Sequence, residues 1–177
     1  MPKKGDSINH APELKENLVA VVLHIDLGDD AILLGSDLED HASFGWTAIV
    51  ADQWSGKRRP ATAYKVAHHG SYTGDCPQMW STLLQTEPVS CLTPWVLMGN
   101  RLPTEEDKRR MKGRSSRAYI ASASSRRPRM DISQLKRLGD IAENISLVDS
   151  GFGAVRLRKQ IGALSWDVEL FGAAQQL

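Results

Sequence analysis

A chain of 177 residues, 41% hydrophobic and 24% charged, is long enough to bury a core of its own. Its formal net charge of +1 argues against a strong global pull toward nucleic acid or membrane, and apolar runs such as Leu18–Leu23 and Ile32–Leu34 are too short to cross a bilayer. Cys76 and Cys91 stand in no zinc-finger or redox spacing, so both are expected reduced and buried in a cytoplasmic protein.

Residues 1–17 are polar, lack an apolar signal core and are expected to form an arm; 18–177 form the folded unit. From Leu18, the residues Val19, Val21, Leu23, Ile25 and Leu27 alternate with their neighbours at the period of a strand. Gly28-Asp29-Asp30 predicts a turn, and Ala31–Leu34 the returning strand of a hairpin. Phe44–Trp54 predicts an amphipathic helix. A basic loop, Lys57–Pro60, leads to a strand around Thr62–Ala67 that stops at His68-His69-Gly70-Ser71.

Pro77–Gln85 predicts a helix with proline in its tolerated first turn, and Val89–Thr93 a short buried strand. Thr104 with Asp107 three residues on predicts a helix start running towards Arg114. Arg117–Ala121 reads as a strand, Ser122–Arg129 as a loop, Ser133–Ile141 as a helix. Ile145–Asp149, Ala154–Lys159 and Leu164–Leu170 read as closing strands. The order implies an α/β (α+β) fold, a mixed sheet with helices packed on it.

Two segments put metal-competent side chains at the exit of an apolar strand: Ile32–Glu39, with Asp37, and Tyr64–Ser71, with the histidine pair. Ligands in open α/β sheets collect outside the carboxyl ends of strands, so both loops could face one crevice. Carboxylate and neutral imidazole both suit zinc. Asp37 could equally cap a following helix, and a His pair in a loop is often a surface pair. His41, four residues after Asp37, is expected on a solvated helix face, and His24 as a hydrogen-bonded structural residue. Asp75 is expected to cap the helix at Pro77. Trp46, Trp54, Trp80, Trp95 and Trp166 lie on apolar patterns and are expected in core or interface.

The stretch Leu34-Gly35-Ser36-Asp37-Leu38-Glu39, followed by Lys65-Val66-Ala67-His68-His69-Gly70-Ser71, resembles the metallo-β-lactamase superfamily. The likeness is greatest to the hydrolase domain of competence-type DNA-uptake proteins, and it extends through Glu87-Pro88, Leu102-Pro103-Thr104 and Gly153-Ala154-Val155. The resemblance implies the C-terminal half of an αβ/βα sandwich. It implies that Asp37 bridges two metal ions and that His69 binds the second, with His68 either supporting a ligand from behind or contacting phosphate and handling protons, and Ser71 contacting substrate. In the family the metals activate water and stabilise charge on the substrate. Gly35-Ser36 stands where relatives carry Thr-Gly. The larger departure is that the family's His-x-His-x-Asp-His motif has no match: the five histidines are His10, His24, His41, His68 and His69. Two donors are too few for a zinc site, so a two-zinc centre is expected only with the missing half, and the chain alone is expected inactive.

The segment from Lys108 to Arg129 is strongly basic. Arg110, Arg114, Arg126, Arg127 and Arg129 could contact the phosphates of a nucleic acid, or form a solvated face balanced by Glu105, Glu106 and Asp107. Two functions follow. One is a split zinc-dependent hydrolase, a phosphodiesterase or nuclease completed by a second polypeptide. The other is a non-catalytic interaction protein on a truncated fold, whose exposed sheet face demands a partner or a homo-oligomer.

Overall fold

The computed structural model describes residues 16–52, 57–98, 100–122, 136–137 and 151–177. After a 3-10 turn at Glu16–Val19 come β1 (Leu23–Asp26) and β2 (Ala31–Leu34), an antiparallel hairpin about the Gly28–Asp30 turn. Two short strands, β3 (Asp40–His41) and β4 (Phe44–Gly45), pair before helix α1 (Trp46–Ala51). Then follow β5 (Ala61–Lys65), α2 (Pro77–Leu83), β6 (Leu84–Leu92), the hairpin β7 (Trp95–Leu97) and β8 (Asn100–Leu102), and α3 (Glu105–Arg114). The chain continues through β9 (Ala118–Ile120), a second hairpin of β10 (Gly153–Arg158) and β11 (Asp167–Gly172), and β12 (Gln175–Gln176).

One six-stranded mixed sheet has the order β1-β2-β5-β6-β9-β12. Its four central strands are mutually parallel, with β1 and β12 antiparallel at the edges. Because β2, β5, β6 and β9 follow one another across the sheet, right-handed crossovers carry α1, α2 and α3 to the same face. The register agrees. Leu33, Tyr64, Leu92 and Ile120 point to one side and pack with Trp46 of α1, Met79, Trp80 and Leu83 of α2, and Met111 of α3. Tyr64 sits edge-on between Trp46 and Trp80, its centroid 6.4 and 5.3 Å from theirs, a favoured aromatic geometry.

The other face is covered unevenly. Ala63 and Val89 are buried in its middle, whereas on the β1–β2 side Leu23 and Ile25 are 52% and 37% exposed and Ile32 and Leu34 are partly so. Val19, Val21 and Leu27 extend this apolar strip. At the amino end of the strands the β10–β11 hairpin is anchored by Lys159 Nζ on Asp30 (2.6 Å), Trp166 Nε1 on Thr62 Oγ1 (2.9 Å) and Arg117 Nη2 on the Trp166 carbonyl (2.7 Å).

Several expectations change. The helix after Asp37, α1, begins only at Trp46 with Gly45 at its N-cap, so Asp37 does not cap it. His41 lies in β3 with its ring 5.9 Å from Phe44, not on a helix face. The helix expected from Phe44 starts at Trp46. Helix α2 ends at Leu83 and runs straight into β6, which is nine residues long and passes Glu87 at φ 57°. The side chain of Asp75 does not cap α2. The Thr104–Asp107 helix start is present as a reciprocal capping box, and His24 Nε2 lies 2.9 Å from the Arg59 carbonyl. Trp46 and Trp80 are core, Trp95 and Trp166 partly exposed. Trp54, residues 1–15, Arg126, Arg127, Arg129 and strand 145–149 lie outside the described residues, as do most of loop 122–129 and helix 133–141. No helix among the described residues is long and apolar enough to cross a membrane.

Candidate functional site

Parallel strands deliver their exits to one edge, and here β2 and β5 are neighbours. Their loops touch. Gly35 N donates to the Lys65 carbonyl (2.9 Å), His68 N to the Ser36 carbonyl (2.9 Å), and Val66 N to the Cys91 carbonyl of β6 (2.9 Å). A Cβ on Gly35 would fall 2.8 Å from both the Cβ and the backbone N of Ala67. Only a residue without a side chain lets the Asp37 loop lie this close to the histidine loop.

His68, His69 and Gly70 take successive positive φ values of 43°, 54° and 78°. For non-glycine residues this conformation costs on the order of 1–3 kcal/mol each, so the surroundings must enforce it. A Cβ on Gly70 would lie 2.3 Å from Leu92 Cδ2, and Ser71 N closes the turn on the His68 carbonyl at 2.8 Å. The two adjacent rings stand 6.4 Å apart with an interplanar angle of 55°. They serve different surroundings.

His69 faces Asp37. Its Nδ1 lies 2.9 Å from the Thr93 carbonyl at the end of β6. A carbonyl only accepts, so Nδ1 carries the proton and Nε2 is left as the free donor atom. Nε2 is 3.5 Å from Asp37 Oδ1, with the Asp37 side chain 54% exposed and that of His69 21%. Two donors about 2.0–2.1 Å from one tetrahedral zinc would sit roughly 3.4 Å apart, so the pair fits one ion. A protonated imidazole would make an ion pair at the same distance. Trp95 stacks on the His69 ring, centroids 6.2 Å apart and 27° from parallel. Lys65, half-buried on β5, has its ammonium pKa held down by burial, with Asp37 and Cys91 partly offsetting this. Among the described residues no three His, Cys, Asp or Glu side chains converge.

His68 points elsewhere. Its Nδ1 is 3.1 Å from Glu39 Oε1 and 2.9 Å from Thr73 Oγ1, and its Nε2 is 3.4 Å from Asn17 Nδ2. Asn17 also reaches Glu39 at 3.5 Å. Both ring nitrogens are engaged within the protein. Ser71 Oγ is 3.2 Å from Thr73 Oγ1 and accepts from Thr73 N. These two expected substrate contacts therefore sit inside the loop's own hydrogen bonding, while Asp37 and His69 come together at the rim.

Arg110 and Arg114 turn inward as well. Arg114 Nη2 bonds Asp75 Oδ2 (2.9 Å), and Arg110 Nη2 reaches Asp107 Oδ1 (2.8 Å) and the Gly70 carbonyl (2.7 Å). Trp80 Nε1 donates to the other Asp75 oxygen at 2.7 Å. The sequence reading missed Asn17, Glu39, Thr73, Thr93 and Trp95 as supports. The available signal was positional: Thr93 and Trp95 follow β6, the next parallel strand after β5. A cleft of about 430 Å3 lined by Val22, His24, Ile49 and Arg58 lies by β1 and α1 and includes neither Asp37 nor His69. Compared with protein-family models, curated proteins and solved structures, this chain matches none.

Proposed function

We propose that the chain is one part of a split zinc-dependent hydrolase of the metallo-β-lactamase kind, completed by a second polypeptide bearing the His-x-His-x-Asp-His half, with a phosphodiester as substrate. The observation that carries this reading is the 3.5 Å approach of His69 Nε2 to Asp37 Oδ1 at the open rim. The proton fixed on Nδ1 by the Thr93 carbonyl is the arrangement a metal-binding histidine needs. Bound zinc would supply Lewis acidity and an activated nucleophile at neutral pH. Asp37 and His69 would hold the ion from this side, and Trp95 would keep water from one face of the His69 ring. His68 and Ser71 stiffen the loop through its own hydrogen bonds.

The test is to purify the chain with and without candidate partners carrying the missing motif, then measure zinc content and phosphodiesterase activity. Zinc retained by the pair and lost in Asp37→Ala and His69→Ala supports the reading. A complete pair that binds no zinc ends it.

One observation favours a non-catalytic interaction protein: Val19, Val21, Leu23, Ile25 and Leu27 form an exposed apolar strip, with Val21 72% and Val19 59% exposed. Such a strip suits a partner whether or not chemistry follows. Under this reading the Asp37→Ala and His69→Ala chains keep their biological activity, whereas a lysine on the strip abolishes it.

A further inference from the structure

We infer that Arg110, clamped by Asp75 and Asp107, is a positioning residue that holds the left-handed His68-His69-Gly70 turn and so aims His69; this rests on the reading of His69 as a metal donor. The turn needs an external brace. Two histidines with positive φ hold strained backbone, and relaxing either residue would rotate the His69 ring away from Thr93 and Asp37. A side chain from α3 reaches its backbone at the critical point: Arg110 Nη2 donates to the Gly70 carbonyl at 2.7 Å, across 40 residues of sequence.

That guanidinium is itself held. Its Nη2 also approaches Asp107 Oδ1 at 2.8 Å, and Asp107 is fixed by Thr104 N (2.8 Å) and Thr104 Oγ1 (2.8 Å). Its Nε lies 3.3 Å from Asp75 Oδ2, off the line of the N–H bond, an electrostatic contact and not a hydrogen bond. Asp75 is anchored in turn by Trp80 Nε1 and Arg114 Nη2. The carboxylates of Asp75 and Asp107 are only 7% and 6% exposed, so water screens these contacts little. Helix α3 thus transmits its own rigidity to the Gly70 peptide. A surface cation meant for phosphate would not be committed to two buried carboxylates and a carbonyl.

The test uses the full chain. Two-bond 1H–15N NMR on the chain reports the tautomer of His69, with thermal melting measured in parallel, and zinc retention is measured on the chain assembled with a partner carrying the missing half. Wild type is expected to show a single Nδ1–H tautomer and, once assembled, to retain zinc. Arg110→Ala is expected to show mixed tautomers and, in the assembly, at least about tenfold weaker zinc binding, the scale on which lost supports of a metal ligand act. Arg110→Lys, which retains one donor for the Gly70 carbonyl, should fall between them and carries the test alone should the alanine variant not fold. An unchanged tautomer and zinc affinity in the lysine variant, or in a folded alanine variant, overturns the inference. If the wild-type assembly retains no zinc yet Arg110→Ala still scrambles the tautomer, the brace stands and the metal reading falls.

Discussion

Replacing Gly35 by alanine tests the close approach on which the site geometry depends. The added Cβ would lie 2.8 Å from Ala67 Cβ, 2.8 Å from Ala67 N and 2.9 Å from Ala67 Cα. Carbon atoms prefer separations of about 3.5–4.0 Å, so the two backbones must part by roughly half an ångström or more. No flexible side chain can yield instead, because every clashing atom is backbone or Cβ of a fully buried residue. The backbone bonds from Gly35 N to Lys65 and from His68 N to Ser36 resist the separation. Overpacking of this kind costs about 1–3 kcal/mol. At about 2–4 °C per kcal/mol for a chain of this size, Gly35→Ala should melt roughly 2–12 °C lower. The same substitution at Gly113 in α3 meets nothing within 4 Å and should stabilise the chain by about 0.5–1 kcal/mol. Melts followed by circular dichroism, with urea titrations, measure both. A Gly35→Ala chain as stable as wild type, or a Gly113→Ala chain less stable, refutes the close-approach argument.

Burial alone would raise the carboxyl pKa of Asp107, but hydrogen bonds from Thr104 and Arg110 outweigh it and hold it below the ordinary value. The unfolded chain therefore takes up a proton near pH 4 that the folded chain refuses, so stability is present above about pH 4 and lost as pH falls through the folded value. Asp107→Asn should lower stability by roughly 1–2 kcal/mol at neutral pH and flatten that acid limb in pH-dependent urea titrations. Burial pushes the Cys91 thiol up to about 11, with Lys65 pulling it back, and burial raises Cys76 too. Native protein at pH 8 should then label with maleimide far more slowly than protein in urea, since about one Cys91 thiol in a thousand is ionised; stoichiometric native labelling within minutes contradicts this. Val21→Lys with Ile25→Lys should reduce binding of a hydrophobic dye with little change in melting, because exposed positions tolerate change within about 0.5 kcal/mol. An unaltered dye signal would show that the strip is not the accessible apolar surface.

Features written within a few neighbouring residues were legible in the sequence. The Gly28–Asp30 turn, the stop at His68-His69-Gly70-Ser71, proline at the start of α2 and the Thr104–Asp107 box all rest on local chemistry, and each appears in the fold. The approach of Asp37 to His69 was anticipated from two strand exits, since neighbouring parallel strands open on one edge. The supports were not legible, because they join distant parts of the chain: Asn17 to His68 across 51 residues, Arg114 to Asp75 across 39. Asp75 before Pro77 has the local signature of a helix cap, and tertiary pairing with two arginines and Trp80 overrode it. A similar override took Leu84 from the expected end of α2 into β6, where Ala61 pairs with it. His41 was misplaced because its spacing to Asp37 carries meaning only on a helix.

The exposed apolar strip and the open side of the Asp37–His69 pair have one topological origin. Sequential parallel strands joined by right-handed crossovers put α1, α2 and α3 on a single face, and among the described residues the β1–β2 side of the other face is left partly exposed. The same parallel order sends the exits of β2, β5 and β6 to one edge, where Asp37, His69 and the Thr93 carbonyl meet. Leu34, on the apolar strip, is three residues from Asp37 through the turn at Ser36, a stretch that spans no more than about 10 Å. A polypeptide laid over Leu23, Ile25, Ile32 and Leu34 would thus bring its own side chains to the unfilled side of the pair. On the proposed split-hydrolase reading, covering the sheet and completing the donor set would be one docking event. Lysines on the strip should therefore weaken zinc retention by the assembled pair as well as its assembly, whereas Asp37→Ala should abolish zinc retention and leave much of the assembly intact.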